Sequence, residues 1–419
     1  MKTAILIGAG PRGRLAYLDK FAKFGVKLIA VADLFEENRK LVQEAYGISE
    51  DMCFANYKDM FHGERLADIA IICTNDRDHL EPFKLCAQAG YHILLEKPIS
   101  SFPEEVAEVE KISQTFDKTL TICHVLRYTP FFTKLKELIT SGIIGKVMSI
   151  NHNENMAYWF AVNNFVRGKW NNSDTTSPLI LAKCCHDMDL LVYLTGKKCI
   201  RLSSFGNLGY FNPENAPEGA GTRCTVDCKI ADSCPYNVVK FNINPPQNIA
   251  KFRANDYIED EESLRQDMST SQWGRCVFAC DNNVADHQVI SMEFEDNITA
   301  VFTVSAFTYD HSRTIKIMGT LGEIEGDMEN GELQLKIFGA NEIEHIHVEN
   351  NILQHGGGDE GIVKAFLDSI DGDSGRNLTS AQESLHSHMI CFAAEESRKN
   401  NGAVVELEAF TKRYLDALK

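Results

Sequence analysis

Short apolar runs alternate with amphipathic stretches over the first part of the chain. Residues 3–8, 27–33, 67–74 and 91–96 are strand-like, and each is followed by a segment with apolar positions at helical spacing. That alternation predicts a parallel sheet covered by helices. Residues 79–90 place Leu80, Phe83, Cys86 and Ala87 on one helical face and stop at Gly90. Pro103, Glu104 and Glu105 open a further helix, in which Val106, Val109 and Ile112 recur. An apolar run over 119–125 completes this unit, so a parallel α/β domain is expected over residues 1–124 and a second domain over 125–419.

After Gly145 the pattern changes. Residues 147–151 and the long run 288–307 have strand composition, and Asn330-Gly331 is a strong hairpin signal. The second domain is therefore expected to hold a mostly antiparallel sheet. Helices are predicted over 178–194, ending before Gly196, and over 360–370. The polar stretch 207–264 shows no clear periodicity.

Composition narrows the function. The 419 residues, 44% of them apolar, are enough for two buried cores, and 42 basic against 59 acidic residues give a net charge of -17. Such a charge repels phosphate backbones and anionic membrane surfaces, so neither nucleic acid nor membrane is an expected partner. No run of eighteen apolar residues and no export signal is apparent, so a cytoplasmic protein is expected. In that compartment most of the 13 cysteines stay reduced. Cys73, Cys86 and Cys123 fall in apolar patterns and read as small buried hydrophobes.

Two segments carry candidate chemistry. Gly8-Ala-Gly10-Pro11-Arg12-Gly13 follows the first strand and opens a helix, the context in which a glycine fingerprint binds a dinucleotide. The first glycine allows the tight turn, the second lets the backbone reach the pyrophosphate, and the third lets helix and strand pack, while the helix N-terminus favours negative charge. Asp33 ends the second strand, where a carboxylate accepts the ribose hydroxyls, which favours NAD over NADP. Arg39 could instead meet a 2′-phosphate, so NADP stays possible. The second segment is Cys224-x3-Cys228-x5-Cys234, with Cys276 or Cys280 as a potential fourth thiol. A structural zinc or iron-sulfur site, disulfides and unrelated buried thiols are the competing readings. A reducing compartment argues against disulfides, and so polar a loop needs some anchor, which puts a structural metal on Cys224, Cys228 and Cys234 slightly ahead.

Glu96-Lys97-Pro98 at a strand end makes a wider resemblance visible. Together with the glycine turn, the segment from Cys73 to His79, Leu126-Arg127-Tyr128-Thr-Pro130 and His186-Asp-Met-Asp189, it resembles the glucose-fructose oxidoreductase, inositol dehydrogenase and rhizopine-catabolism (Gfo/Idh/MocA) family over nearly the whole chain. The resemblance implies an N-terminal Rossmann domain, a C-terminal α/β domain with a large open sheet and a substrate pocket between them, with Thr74, Asn75 and His79 beside the cofactor and Glu96 and Lys97 beside nicotinamide and substrate. It implies no metal in catalysis.

Alcohol oxidation needs a base for the hydroxyl proton and a charge for the developing alkoxide. Lys97, just past a parallel strand, suits the second task, and His186, whose imidazole ordinarily titrates near neutrality, suits the first. Asp189 can hold His186 or a sugar hydroxyl, and Arg127 and Tyr128 can bind hydroxyl-rich ligands or pack between domains. Many relatives carry an aspartate four residues before the histidine, where this chain has Ala182, and Lys183 follows it. A cation there would lower the pKa of His186 and could bind an oxyanion, so the division of labour among Lys97, Lys183 and His186 stays open. Trp159, Trp170 and Trp273 could stack on a sugar or belong to the core.

The expected function is NAD-dependent hydride transfer to or from a hydroxyl-bearing carbon of a sugar, polyol or sugar derivative, by a homodimer or homotetramer. Redox-neutral glycosidase or epimerase chemistry uses the same apparatus with no net cofactor turnover. A non-catalytic dinucleotide sensor is a third reading, and Lys97 with His186 counts against it.

Overall fold

The structure, a computed structural model, describes residues 1–242, 260–349 and 355–418. Its first layer is a six-stranded parallel sheet of β1 (Thr3–Ile7), β2 (Lys27–Ala32), β3 (Cys53–Phe54), β4 (Ile69–Ile72), β5 (His92–Leu95) and β6 (Leu120–Ile122), in the order β3-β2-β1-β4-β5-β6. Strand order reverses beside β1, and ligands of open α/β sheets bind outside the strand ends at that reversal. The strands are apolar on both faces because helices cover both. Ile69, Ala70, Ile71 and Ile72 are all essentially inaccessible.

Among the described residues the second sheet has nine strands: β7 (Val147–Ala157), β8 (Cys199–Asn207), β9 (His287–Phe294), β10 (Ile298–Thr308), β11 (Ser312–Gly319), β12 (Gly322–Asp327), β13 (Glu332–Ile337), β14 (Glu344–His347) and β15 (Val405–Glu406). Their order is β14-β13-β12-β11-β7-β10-β9-β8-β15. All pairings are antiparallel except that of β7 with β10. Alternate residues of β10 (Ala300, Phe302, Val304, Ala306) are buried while Val301 and Phe307 are exposed, so one face packs on helices and the other is open.

The predicted hairpin at Asn330-Gly331 joins β12 to β13, with Gly331 at φ 67°. The run 288–307, by contrast, is two strands. Asp296 and Asn297 both take φ 60° and reverse the chain between β9 and β10, a left-handed pair that short polar side chains tolerate. The helix predicted over 178–194 is also divided, into Leu179–Ala182 and Cys185–Thr195, and this break shapes the site. The polar stretch 207–264 lies partly outside the described residues.

The two layers are joined by the C-terminal segment. The Ile122 N–H at the edge of the first sheet donates to the Thr379 carbonyl, and the helix Ala381–Lys399 packs on both the helix Pro103–Ser113 and β8. Among the described residues no helix is long and apolar enough to cross a membrane.

Candidate active site

At the end of β1, Gly8 has φ 92°, and a Cβ there would stand 2.5 Å from the Cys73 carbonyl carbon, so only glycine lets this turn pass over β4. A Cβ on Gly13 would collide with the Gly8 carbonyl, whereas one on Gly10 would meet nothing within 4 Å. Gly10 thus faces open space at the mouth of the turn, where a pyrophosphate needs close backbone approach. Asp33 closes the same end. Its Oδ2 accepts from the Ala9 N–H (2.7 Å), and its Oδ1 accepts from the Phe35 N–H (2.9 Å) and Asn38 Nδ2 (3.1 Å). Three of roughly four acceptor sites on the carboxylate are filled, which fixes its orientation and leaves capacity for a ribose hydroxyl. Arg39 is committed to the backbone carbonyls of Asp33 (2.7 Å) and Leu34 (3.3 Å).

From this turn a single cavity of about 840 Å³ runs toward the second domain. Gly8, Gly10, Pro11, Asp33, Thr74 and Asn75 line it together with Lys97, Phe160, Phe165, Trp170, Lys183 and His355. Trp170 stacks on Phe165 with ring centroids 6.0 Å apart and donates from Nε1 to Asp76 (3.1 Å), so one wall is aromatic. Trp159 is buried core, 5% exposed.

Glu96 and Lys97 follow β5, but they face different surroundings. Glu96 is buried, and its Oε1 accepts from Arg12 Nε (2.8 Å) and the Tyr17 hydroxyl (2.5 Å). Burial alone would raise this carboxyl, but Arg12, Lys97 and the Tyr17 bond outweigh it and hold the pKa below the ordinary value. Arg12, besides lining the cavity, turns into this network and reaches Asp359 at 3.0 Å. Lys97 Nζ donates to the Ala182 carbonyl at 2.8 Å. That carbonyl is free because the helix Leu179–Ala182 ends there, and the same break turns Lys183 into the cavity.

His186 departs from expectation. It is 4% exposed, sits behind the cavity lining, and its Nδ1 has no hydrogen-bond partner among the described residues. Burial, reinforced by Lys97 and His124, drops its pKa well below the ordinary imidazole value, so it stays neutral rather than titrating near neutrality. Lys183 lines the cavity while pairing with Glu154 (3.4 Å) and lying over the Phe160 ring (4.6 Å). Burial lowers its own pKa.

Arg127, Tyr128, Asp189 and His79 lie outside the cavity lining. Arg127 and Asp189 make a buried bidentate pair, both bonds 2.7 Å, and Arg127 also donates to the Leu378 carbonyl (2.6 Å). The Tyr128 hydroxyl accepts from the Leu378 N–H (2.9 Å). These side chains clamp the segment before the C-terminal helix, which corrects their expected part in binding substrate. His79 is also held on backbone, its two ring nitrogens beside the carbonyls of Pro98 (2.7 Å) and Thr74 (3.3 Å), so it braces the loop rather than lining the cofactor end.

Sequence reasoning missed several charged groups. Arg313 on β11 bridges Glu154 (2.6 Å) and Asp187 (2.8 Å), and Asp187 also holds His152 (2.9 Å), forming the buried platform under Lys183. His355 and Asp359 were missed too, although His-Gly-Gly-Gly-Asp places an imidazole and a carboxylate four residues apart at a helix start.

The cysteine expectation needs correction. Among the described residues no group of three or more His, Cys, Asp or Glu side chains is placed to hold a metal ion. Cys224, Cys228, Cys234 and Cys276 do line one small cavity, but the fully buried Arg167 lines it with them, its guanidinium 3.6 Å from the Cys224 sulfur. The loop has other anchors. Arg167 donates to the Arg275 (2.7 Å) and Tyr236 (2.6 Å) carbonyls, Arg223 caps the helix Glu261–Thr270 through the Met268, Thr270 and Ser271 carbonyls, and Asp227 accepts from the Thr222 and Arg223 N–H groups. All 13 cysteines are free thiols.

Comparison with known proteins gives consistent matches. The family description "Oxidoreductase family, NAD-binding Rossmann fold" (GFO_IDH_MocA) matches residues 2–126, and its companion "Oxidoreductase family, C-terminal alpha/beta domain" matches residues 136–407. The Bacillus subtilis protein YteT, named as an oxidoreductase, is 24% identical over 309 residues, covering 70% of each chain. Inositol 2-dehydrogenase of Rhizobium meliloti is 29% identical over 142 residues, covering 34% of this chain and 42% of that enzyme. An oxidoreductase from Agrobacterium radiobacter, solved with NAD+, L-tartaric acid and magnesium, superposes with a TM-score of 0.68 over 97% of this chain and 99% of its own, at 16% identity, which shows a shared fold.

Proposed function

This chain belongs to the Gfo/Idh/MocA oxidoreductase family, and on that premise we propose that it transfers hydride between NAD and a hydroxyl-bearing carbon of a sugar, polyol or sugar derivative. The observation that carries the reading is the continuity of one cavity. Its lining joins the glycine turn and Asp33 to Lys97, Lys183 and an aromatic wall. Inositol dehydrogenases among the relatives support the substrate class.

When bound, NAD supplies the two-electron acceptor, and the protein supplies position and charge. The open Gly10 turn and the helix start behind it suit a pyrophosphate, and Asp33 suits a ribose diol. Phe165 and Trp170 offer a flat apolar surface to the C–H face of a ring, where stacking leaves the hydroxyls free for polar contacts. Lys97, anchored on the Ala182 carbonyl, stabilises negative charge growing on the substrate oxygen. Glu96, kept ionised, holds Arg12 and Tyr17 away from that oxygen. His186, neutral behind Lys97, adds no competing charge. The exposed side chains of Phe205, Val301 and Phe307 on the open face of the second sheet suit self-association into a dimer or tetramer.

The cofactor half of the proposal is tested by titrating both nucleotides. A 2′-phosphate would approach the Asp33 carboxylate while Arg39 is held on carbonyls, so NAD is expected to bind about tenfold or more tighter than NADP. Tighter NADP binding would remove Asp33 as the ribose ligand, and binding of neither would remove the basis of the proposal.

A further inference from the structure

Gly356, Gly357 and Gly358 separate His355 from Asp359 and lead into the helix Gly358–Ile370. The chain uses the freedom of these glycines. Gly356 and Gly357 have φ of 63° and 88°, and a Cβ on Gly358 would run into the Val125 carbonyl. His355 itself takes φ 51°, a left-handed conformation that a β-carbon disfavours. This tight turn brings His355 and Asp359 against the nucleotide turn of the first domain. Asp359 is 1% exposed and accepts from Arg12 Nη2 (3.0 Å) and Nη1 (3.4 Å), and its Oδ2 lies 3.2 Å from His355 Nδ1. Arg12 in turn holds Glu96, so one ionic network spans both domains beside Lys97.

The His355 side chain is 39% exposed and lines the cavity with Lys97 and Lys183. An ionised carboxylate only accepts, so with Asp359 as its partner Nδ1 carries the proton and Nε2 keeps its lone pair. Arg12 Nη1, also 3.2 Å from Nδ1, then donates to Asp359 instead. The charged and titratable groups around the ring are Arg12 from the nucleotide turn, Asp359 from its own helix, Lys183 after the helix Leu179–Ala182, His186 at 6.1 Å on the next helix, and His311 before β11. Burial, Arg12 and Lys183 lower its pKa against the opposing pull of Asp359, which leaves the ring neutral at physiological pH. His186 has no comparable access, being enclosed behind the lining.

We propose that His355 is the catalytic residue that takes the substrate hydroxyl's proton, with Asp359 and Arg12 as its positioning residues. This rests on the dehydrogenase reading. In the oxidation, the carbon's hydrogen leaves with its two electrons to the oxidised nicotinamide. The O–H bond breaks, its proton bonds to His355 Nε2, and the electrons left on oxygen form the carbonyl π bond. The imidazolium then loses its proton to water through the exposed edge of the ring. Reduction runs the same steps backward, with His355 as donor.

The test compares wild type with His355→Gln, His186→Gln and Asp359→Asn on a substrate that the wild type oxidises, together with NAD titration and imidazole NMR on the cofactor-free protein. His355→Gln should lower kcat by about two to four powers of ten and abolish the acidic limb of the pH–rate profile, with NAD affinity within about twofold. The imidazole signal that it removes should titrate below the ordinary value near 6.5, and lower still in Asp359→Asn, where the raising influence is gone. Undiminished kcat in His355→Gln, or a larger loss in His186→Gln, would overturn the inference while leaving the dehydrogenase reading in place. A wild type that binds NAD yet oxidises nothing would overturn both.

Discussion

Replacing Lys97 with alanine is expected to lower kcat by about two or more powers of ten while NAD affinity stays within about twofold. The separation follows from where the ammonium stands. Lys97 lies at the end of β5 with Nζ on the Ala182 carbonyl, at the mouth of the second domain, whereas the Gly8–Gly10 turn and Asp33 are built from β1, β2 and their connections. Removing the ammonium takes away the charge that offsets the developing alkoxide and leaves the nucleotide end intact. Stopped-flow turnover and cofactor titration on the same preparation read the two effects. An equal loss in both would make Lys97 a cofactor ligand and not a residue of the chemical step.

Asp189→Ala is expected to destabilise the fold by about 3–5 kcal/mol, the range for leaving one charge of a buried pair without its partner. Arg127 is 3% exposed and Asp189 1%, so water cannot replace the lost carboxylate, and the Glu383 carboxylate that remains stands farther off at 3.6 Å. The Arg127 guanidinium also holds the Leu378 carbonyl, beside the Thr379 carbonyl that pairs with the edge of the first sheet. Destabilisation should therefore loosen the junction between the domains. Chemical denaturation measures it. If Asp189 served the substrate instead, the midpoint would stay put and KM would rise.

What the sequence revealed follows from the range of the forces involved. The parallel sheet was legible because apolar runs such as 3–8 and 67–74 and the helices between them are local patterns, and a glycine turn after a first strand has few uses. Glu96-Lys97-Pro98 was legible as a strand-end motif. Whether a charged side chain meets a cavity or a core partner is a different matter, because the partner is remote in sequence. Arg127 finds Asp189 62 residues away and Arg313 finds Asp187 126 residues away, and nothing local to either arginine signals it. The break at Lys183 was hidden for a similar reason. The run 178–194 has helical periodicity throughout, and it divides where the Ala182 carbonyl is taken by Lys97 from the other domain. The thiols between Cys224 and Cys234 suggested a metal because spacing carries no sign of Arg167, the cation that shares their cavity. His355 and Asp359 carried a visible signal, an imidazole and a carboxylate flanking three glycines, that periodicity alone passes over as a loop.

The most direct measurement incubates the protein with NAD and a panel of polyols, sugars, glycosides and sugar acids, following nicotinamide absorbance and analysing products in parallel. At least one hydroxyl-rich compound is expected to be converted to its carbonyl product with stoichiometric formation of NADH. Product formed with no net NADH would mean that the hydride returns within the same cycle, as in redox-neutral elimination or epimerisation. NAD bound with no product from any class would contradict the account.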